Sequence, residues 1–267
     1  EYYPEAIPSP IPRAINDPLD DIGFELNSNI ERQLAEISTA TEVVEKYEPD
    51  FLFLNGSVIP HYTFVPDKGS FVYVNYENMI AAYNRLFETV KKRKTILAGV
   101  IEDSRGTRFC EILAKAMNAN FDPNIPAEFK IVLNQTKDTN LLSYVLNRGN
   151  RTLVFPYSSE VEKHPILRNF PDAKSITTFY VRTAEFDRPL RVDFLADKGS
   201  SDVADKISSI LLSLASNSTY GTPSVIVEAD QRAKLSEQDL ELFYSEILNK
   251  AGYLESLFQQ RRNLRPF

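Results

Sequence analysis

The spacing of apolar residues along the chain predicts an alternation of helices and short strands. Ser28 and Glu31 form a capping box that opens a helix ending near Tyr47. Its apolar residues recur at helical intervals: Ile30, Leu34, Ile37 and Val44. Prolines crowd the preceding segment, and because proline can neither propagate a helix nor sit in a central strand, we predict an extended Pro-rich arm over residues 1–25.

Short runs rich in aromatic and β-branched residues come next and predict an antiparallel meander. These runs are Phe51 to Leu54, Ser57 to Pro60, His61 to Val65 and Ser70 to Tyr76. An amphipathic helix is then predicted from its apolar face: Met79, Ile80, Tyr83, Leu86, Phe87 and Val90. The uniformly apolar run from Thr95 to Ile101 predicts a buried strand.

The second half of the chain continues this mixed order. Helices are predicted near residues 109–117, 139–146 and 203–215, with a Pro-containing loop near 122–126, strands at 151–155, 177–183 and 190–195, and a further segment at 225–228. Ser236 and Asp239 cap a last helix. The order predicts an α/β fold in which helices flank a mixed β-sheet, as a single domain over residues 26–267.

Composition narrows the class of protein. The chain has 267 residues, of which 43% are hydrophobic and 25% charged, so it can bury one sizeable core and is not a disordered or coiled-coil protein. We expect neither a membrane span nor a signal peptide. The single cysteine excludes an internal disulfide framework, and we expect a cytoplasmic protein. The net charge of −7 argues against a surface that coats nucleic acid non-specifically, but leaves room for a local basic channel.

Several chemistries lack their residues. No nucleotide-binding glycine loop occurs, and only His61 and His164 are available, without a nucleophile elbow, so ATP, NAD and triad chemistry are disfavoured. Cys110 lies in an apolar helical stretch and is interpreted as a packing residue. Carboxylates that hold a divalent ion remain, although most acidic residues are surface groups. The candidates lie at strand ends or helix faces: Glu102, Asp103, Glu111, Asp138 and Asp193.

Asn55 and Gly56 follow an apolar run and allow two interpretations. An Asn-Gly pair between apolar runs is a strong signal for a two-residue hairpin, because both residues tolerate positive φ. Spacing alone favours the hairpin, but the pair can also end a strand that carries a functional side chain, as the following resemblance implies.

The stretch Phe51 to Ser57 resembles the Asp-Gly-Ser strand end of the NurA family, nucleases with an RNase H-like fold that process DNA ends. Four further segments resemble family motifs in the same order: Ala98 to Arg105, Asp138 to Leu142, Leu190 to Asp193, and Gly221 to Asp239. The likeness covers roughly residues 50 to 245. It implies an RNase H-like sheet, with a NurA-like domain over residues 26–267.

The resemblance also implies a site. Asn55 takes the place of the first metal-binding aspartate, Glu111 and Asp138 fall at the second and third carboxylate positions, and Asp230 takes the place of a histidine. Glu102, where the family has lysine, is a rival for the second carboxylate. The implied cofactor is Mn²⁺ or Mg²⁺. The implied partners are DNA ends, a second copy of the chain and a HerA-type hexameric ATPase.

Because Asn55 and Asp230 differ from the residues of the family at these positions, more than one function is predicted. One hypothesis is a metal-dependent deoxyribonuclease acting in DNA-end resection and repair, weakened because a neutral amide binds hard cations poorly. The other is a non-catalytic NurA paralogue that serves as a DNA- or protein-binding scaffold. A third option is an unrelated mixed α/β domain in which Asn55 and Gly56 form only a hairpin.

Overall fold

The computed structural model of the protein describes residues 20–119, 127–196, 199–235 and 237–250. Residues 15–227 belong to one compact unit, which contains the β-sheet. A second unit contains residues 228–235 and 237–250 of the described chain. The predicted arm over residues 1–25 lies almost wholly outside the described residues, and its boundary stays a prediction.

A five-stranded mixed sheet forms the centre of the larger unit. Its strands are β1 (Phe51–Asn55), β2 (Ile96–Ile101), β3 (Phe155–Pro156), β4 (Ile176–Val181) and β5 (Leu190–Leu195), in the order β1-β2-β5-β4-β3. β1 and β2 are parallel, and the other neighbours are antiparallel. The predicted fold class, a mixed sheet flanked by helices, is confirmed.

Eight α-helices occur in the described residues. They are α1 (Asp21–Tyr47), α2 (Tyr73–Arg93), α3 (Arg108–Ala119), α4 (Ala127–Gln135), α5 (Asp138–Val145), α6 (Ser200–Leu214), α7 (Ser224–Ala233) and α8 (Glu237–Lys250). α4 was not predicted, and the predicted loop at 122–126 and the cap at Ser236 lie outside the described residues. Within the described chain, none of the helices combines the length and apolar character needed to cross a bilayer.

The predicted start of the first helix is wrong, because the N-cap is Asp20, eight residues before Ser28. α1 begins at Asp21, and the Asp20 carboxylate caps it by accepting a hydrogen bond from the Gly23 backbone N–H at 2.7 Å. Ser28 and Glu31 therefore lie inside the helix rather than in a capping box. An aspartate before the first turn satisfies a free N–H and favours the positive end of the helix dipole, which outweighs the cost of Gly23 in the helix.

The predicted meander is wrong beyond its first strand. β1 pairs in parallel with β2, and no strand follows in the described residues between β1 and α2. Val58 and Ile59 are instead buried in the core, residues 62–64 form a 3₁₀ turn, and α2 begins at Tyr73. Val58, Ile59, Val72 and Tyr76 are buried without forming strands, so their packing in the core overrides their local preference.

The two faces of the sheet differ in polarity. α6 covers one face with an entirely apolar cluster that includes Phe179, Val192 and Phe194 from the sheet. On the other face, α1 and α2 pack over the β1 side, while α5 and the start of α3 pack around Tyr180 and Phe155. The middle of this second face carries polar side chains, which form the candidate site.

Candidate functional site

The chain that leaves β1 crosses directly over β2 at Gly99. Gly99 is paired with Leu54 on one side and Asp193 on the other. A Cβ added to Gly99 would lie 2.7 Å from the Val58 nitrogen and 2.8 Å from the Ser57 carbonyl carbon, and closer still to the Gly56 oxygen. Only glycine permits this crossing, because all three neighbours are backbone atoms. The crossing brings Ser57 over β5.

Asp193 is the buried centre of the polar strip. Its side chain has 0% relative exposure, yet three donors surround it. Ser57 Oγ donates to Oδ2 at 2.8 Å, while Thr178 Oγ1 and Arg191 Nε donate to Oδ1 at 2.7 and 2.9 Å. A buried carboxylate is tolerable only when it is paired and hydrogen-bonded in this way. Asp193 is therefore fixed in one orientation.

Arg191 lies beside Asp193 on the same face of β5, since the two residues are two positions apart on a strand. Its side chain is only 15% exposed, and its guanidinium carbon lies 4.8 Å from the centre of the Tyr157 ring. Burial lowers the pKa of Arg191, but Asp193 and the tyrosines more than offset this and raise it above its usual value. Burial, followed by Asp193, raises the pKa of Tyr157.

A cleft of about 740 Å³ opens above this strip. It is lined by the segments that follow β1 and β2, by α1 and by β5. Three arginines, two histidines and aromatic rings contribute to its walls, notably Arg32, Arg105, Arg191, His61, His164 and Tyr157. His164 accepts hydrogen bonds at Nδ1 from two backbone N–H groups, and burial lowers its pKa, so its ring is neutral at neutral pH.

Asn55 ends β1 and is exposed. The next residue, Gly56, has φ of 124°, and its N–H donates to the Val100 oxygen at 2.9 Å. No strand lies between β1 and α2, all of whose connecting residues the structure describes, so the hairpin interpretation is wrong. Asn55 stands at the sheet edge that the resemblance implies, with an amide where a carboxylate was expected.

Glu111 and Asp138 both lie near the N-terminus of α3. Glu111 lies on the exposed first turn, where Thr107 Oγ1 donates to it at 3.0 Å and Arg108 Nη1 at 3.4 Å. Asp138 is fully buried and accepts hydrogen bonds at 2.9 Å from the backbone N–H groups of Phe109 and Cys110. A carboxylate at this position satisfies free N–H groups and complements the helix dipole.

A third donor completes the environment of Asp138. The Tyr180 hydroxyl donates to its Oδ2 at 2.9 Å, so both carboxylate oxygens are occupied by protein donors. Burial, followed by the hydrogen bond to Asp138, raises the pKa of the Cys110 thiol to about 12. These contacts give Asp138 a structural role in joining α5, α3 and β4.

Three acidic candidates remain. Glu102 follows β2 and accepts a hydrogen bond from the Tyr220 hydroxyl at 3.1 Å. Asp103 is exposed and lines the cleft. Asp230 lies on an exposed part of α7 within the second unit.

The residues present do not fit the divalent-metal centre that the resemblance implies. Among the described residues, no group of three or more His, Cys, Asp or Glu side chains is placed to hold one ion. Asp138 and Asp193 are both committed to protein donors, and Asn55 carries no charge. Hard divalent cations need several oxygen ligands at close range, most of them charged.

Sequence reasoning did not single out Tyr157. It included Ser57 only as the end of a motif that resembles the family, and Asp193 both as one acidic candidate among several and as the end of another such motif. One signal was available. Arg191 and Asp193 interrupt an otherwise apolar strand at alternate positions, which places both on one face of the sheet.

Comparison with known proteins decides the family. The NurA domain model matches residues 8–235, which is most of the chain. The protein belongs to the NurA family. Its fold is similar to that in the crystal structure of the NurA nuclease from Sulfolobus solfataricus, with a TM-score of 0.54 and 15% sequence identity over 89% of this chain and 71% of that one. We found no match among curated proteins.

Proposed function

We propose that this NurA-family protein binds nucleic acid in the cleft and does not hydrolyse it unaided. This proposal rests on the charge, burial and hydrogen bonds of the residues at the expected metal site. Asn55 is neutral, and Asp138 and Asp193 are buried, with three protein donors on each carboxylate. Freeing either carboxylate for a metal would leave several buried donors without partners, which is costly.

The walls of the cleft support nucleic acid as the ligand. Arginines that contact phosphates, combined with aromatic rings on which bases stack, are typical of surfaces that bind single strands. The cleft offers Arg32, Arg105 and Arg191 together with Tyr62 and Phe64. This local excess of cations contrasts with the net charge of −7 on the whole chain.

A metal-dependent nuclease is the second candidate, and one observation favours it. Asn55 is exposed at a strand end, so an aspartate would fit there without disturbing the core. In this alternative Asn55, Glu111 and Asp138 are the ligand positions for Mn²⁺ or Mg²⁺. The activity would then be limited by one missing charge.

DNA cleavage with and without a restored charge separates the two candidates. Single- and double-stranded DNA is incubated with Mn²⁺ or Mg²⁺ and the wild-type chain, Asn55→Asp, or Asn134→Asp, a matched change of an exposed asparagine on α4. The binding proposal predicts retained DNA binding and no cleavage by wild type. Cleavage by wild type would refute it, and cleavage by Asn55→Asp alone would show that one charge is the whole defect.

The proposal extends to partners by family membership. We propose that the protein pairs with a second copy of itself and works beside a HerA-type hexameric ATPase at DNA ends during resection and repair. Light scattering tests the pair, and co-purification with the ATPase tests the complex. If the protein is a monomer and does not bind the ATPase, both proposed partnerships are refuted. The proposed binding of DNA is tested separately.

A further inference from the structure

We propose that Arg191 anchors one phosphate group of the bound strand at the floor of the cleft. This inference rests on the proposed nucleic-acid binding and deepens it by assigning a phosphate to one residue. Arg191 combines burial, a fixed orientation and access to the cleft.

The orientation of Arg191 is set from two sides. Asp193 accepts from Nε, and the Tyr157 ring lies against the guanidinium. Asp193 is in turn fixed by Ser57 and Thr178, so the guanidinium is held by groups that are themselves immobile. Such preorganisation reduces the entropy that a ligand must remove on binding.

Asp193 accepts from Nε, and Tyr157 is also hydrogen-bonded to the guanidinium, which leaves part of its five-donor fork for another acceptor. Arginine has five N–H donors in a fixed fork that matches two oxygens of a phosphate. A buried guanidinium needs acceptors for these donors. Because Arg191 lines the cleft, a ligand can supply them.

Gly106 keeps space beside this fork. A Cβ on Gly106 would lie 3.1 Å from Arg191 Nη1, 3.0 Å from the Tyr180 hydroxyl oxygen and 3.3 Å from Ser104 Oγ. Any larger residue would crowd the side of the guanidinium away from Nε. The Ser104 hydroxyl, at the same wall, is a further polar group beside the bound phosphate.

The charge balance of the cleft agrees with an anionic ligand. The lining of the cleft contains three arginines, which are Arg32, Arg105 and Arg191, and two carboxylates, which are Asp103 and Asp193. Asp193 forms an ion pair with Arg191. Arg32 and Arg105 are exposed and suit neighbouring phosphates, whereas Arg191 is the buried cation at the base.

The test measures binding of a fluorescent oligothymidylate by anisotropy over a series of salt concentrations, without divalent metal. Each phosphate contact on a single strand contributes about 0.7 to the slope of log K against log salt. Arg191→Gln should reduce the slope by about 0.7. It should also weaken binding by about tenfold or more, as expected for loss of a charge-assisted contact. Arg191→Lys should retain the slope but not the full affinity, since lysine keeps the charge without the fork.

Two controls protect the conclusion. Arg85→Gln removes an exposed arginine on α2 outside the cleft and should change neither quantity. Gly106→Ala keeps the ion pair and should weaken binding by crowding Nη1, whereas Gly69→Ala, which meets open space, should not. The Gly106 pair keeps the test decisive if Arg191→Gln fails to fold.

The outcomes distinguish this inference from the proposed function. Absence of binding by wild type at low salt would overturn the proposed function. Binding by wild type together with unchanged slopes and affinities for Arg191→Gln and Gly106→Ala would overturn the Arg191 assignment alone. A reduced slope for Arg191→Gln with wild-type behaviour of Arg85→Gln supports it.

Discussion

Replacement of Asp138 by asparagine distinguishes a structural carboxylate from a metal ligand. In the structure, Asp138 accepts from the Phe109 and Cys110 N–H groups and from the Tyr180 hydroxyl. An asparagine at this position retains one acceptor oxygen and turns an NH₂ group toward existing donors. Hydrogen bonds to a charged group contribute about 1.5–3 kcal/mol each, and loss of a helix cap costs about 1 kcal/mol.

These contributions overlap, so we expect Asp138→Asn to lower the free energy of unfolding by about 2–4 kcal/mol. For a chain of this size the loss corresponds to a fall in melting temperature of about 5–15 °C. Urea unfolding and calorimetry in EDTA measure both quantities, with Asn134→Asp as an exposed control. Wild-type stability in EDTA, combined with loss of a bound Mn²⁺, would refute the structural role and restore Asp138 as a ligand.

Three further predictions follow from backbone packing and burial. Gly99→Ala should lower the free energy of unfolding in urea by about 3 kcal/mol or more, because the new Cβ would clash with backbone atoms. Gly69→Ala should change it little, since its Cβ meets open space, and equal effects of the two changes would contradict the crossing. Asn55 should deamidate more slowly in the folded protein than in urea, because the Gly56 nitrogen that must attack its side chain donates to Val100. Intact-mass measurements over time give both rates, and equal rates would show that this contact does not protect Asn55. Cys110, whose thiol pKa is raised to about 12 by burial and Asp138, should resist thiol reagents at neutral pH until the protein unfolds; rapid labelling of the native chain would contradict its burial.

The elements that the sequence predicted well are those whose burial agrees with their local pattern. β2 is an apolar run, β5 alternates apolar residues with Arg191 and Asp193, both strands lie inside the sheet, and α2 carries a continuous apolar face. For these segments, periodicity and tertiary burial point to the same structure.

The wrong predictions concern segments in which a long-range contact overrides a local sequence preference. Asn55 and Gly56 satisfy the local rule for a hairpin, but pairing with β2, more than 40 residues away, holds the chain straight. The residues that would form the second strand of the hairpin include Val58 and Ile59, which are buried in the core instead, and burial of apolar side chains favours this arrangement.

The candidate site shows the same division. The resemblance indicated which positions to examine, and the structure places Asn55 at the strand end that it implied. No pattern in the sequence indicates that Asp138 caps a helix that begins 30 residues earlier, or that Ser57 reaches Asp193 across Gly99. These contacts depend on the crossing of separate segments, which periodicity does not encode.

Titration of Mn²⁺ into the wild-type chain by calorimetry tests the central claim, that this NurA fold does not assemble a metal centre from the residues at its expected site. We predict no stoichiometric Mn²⁺ site with micromolar affinity in the wild type, because Asn55 is neutral and Asp138 is held by three protein donors. A single tight Mn²⁺ site that is lost in both Asp138→Asn and Glu111→Gln would contradict the account.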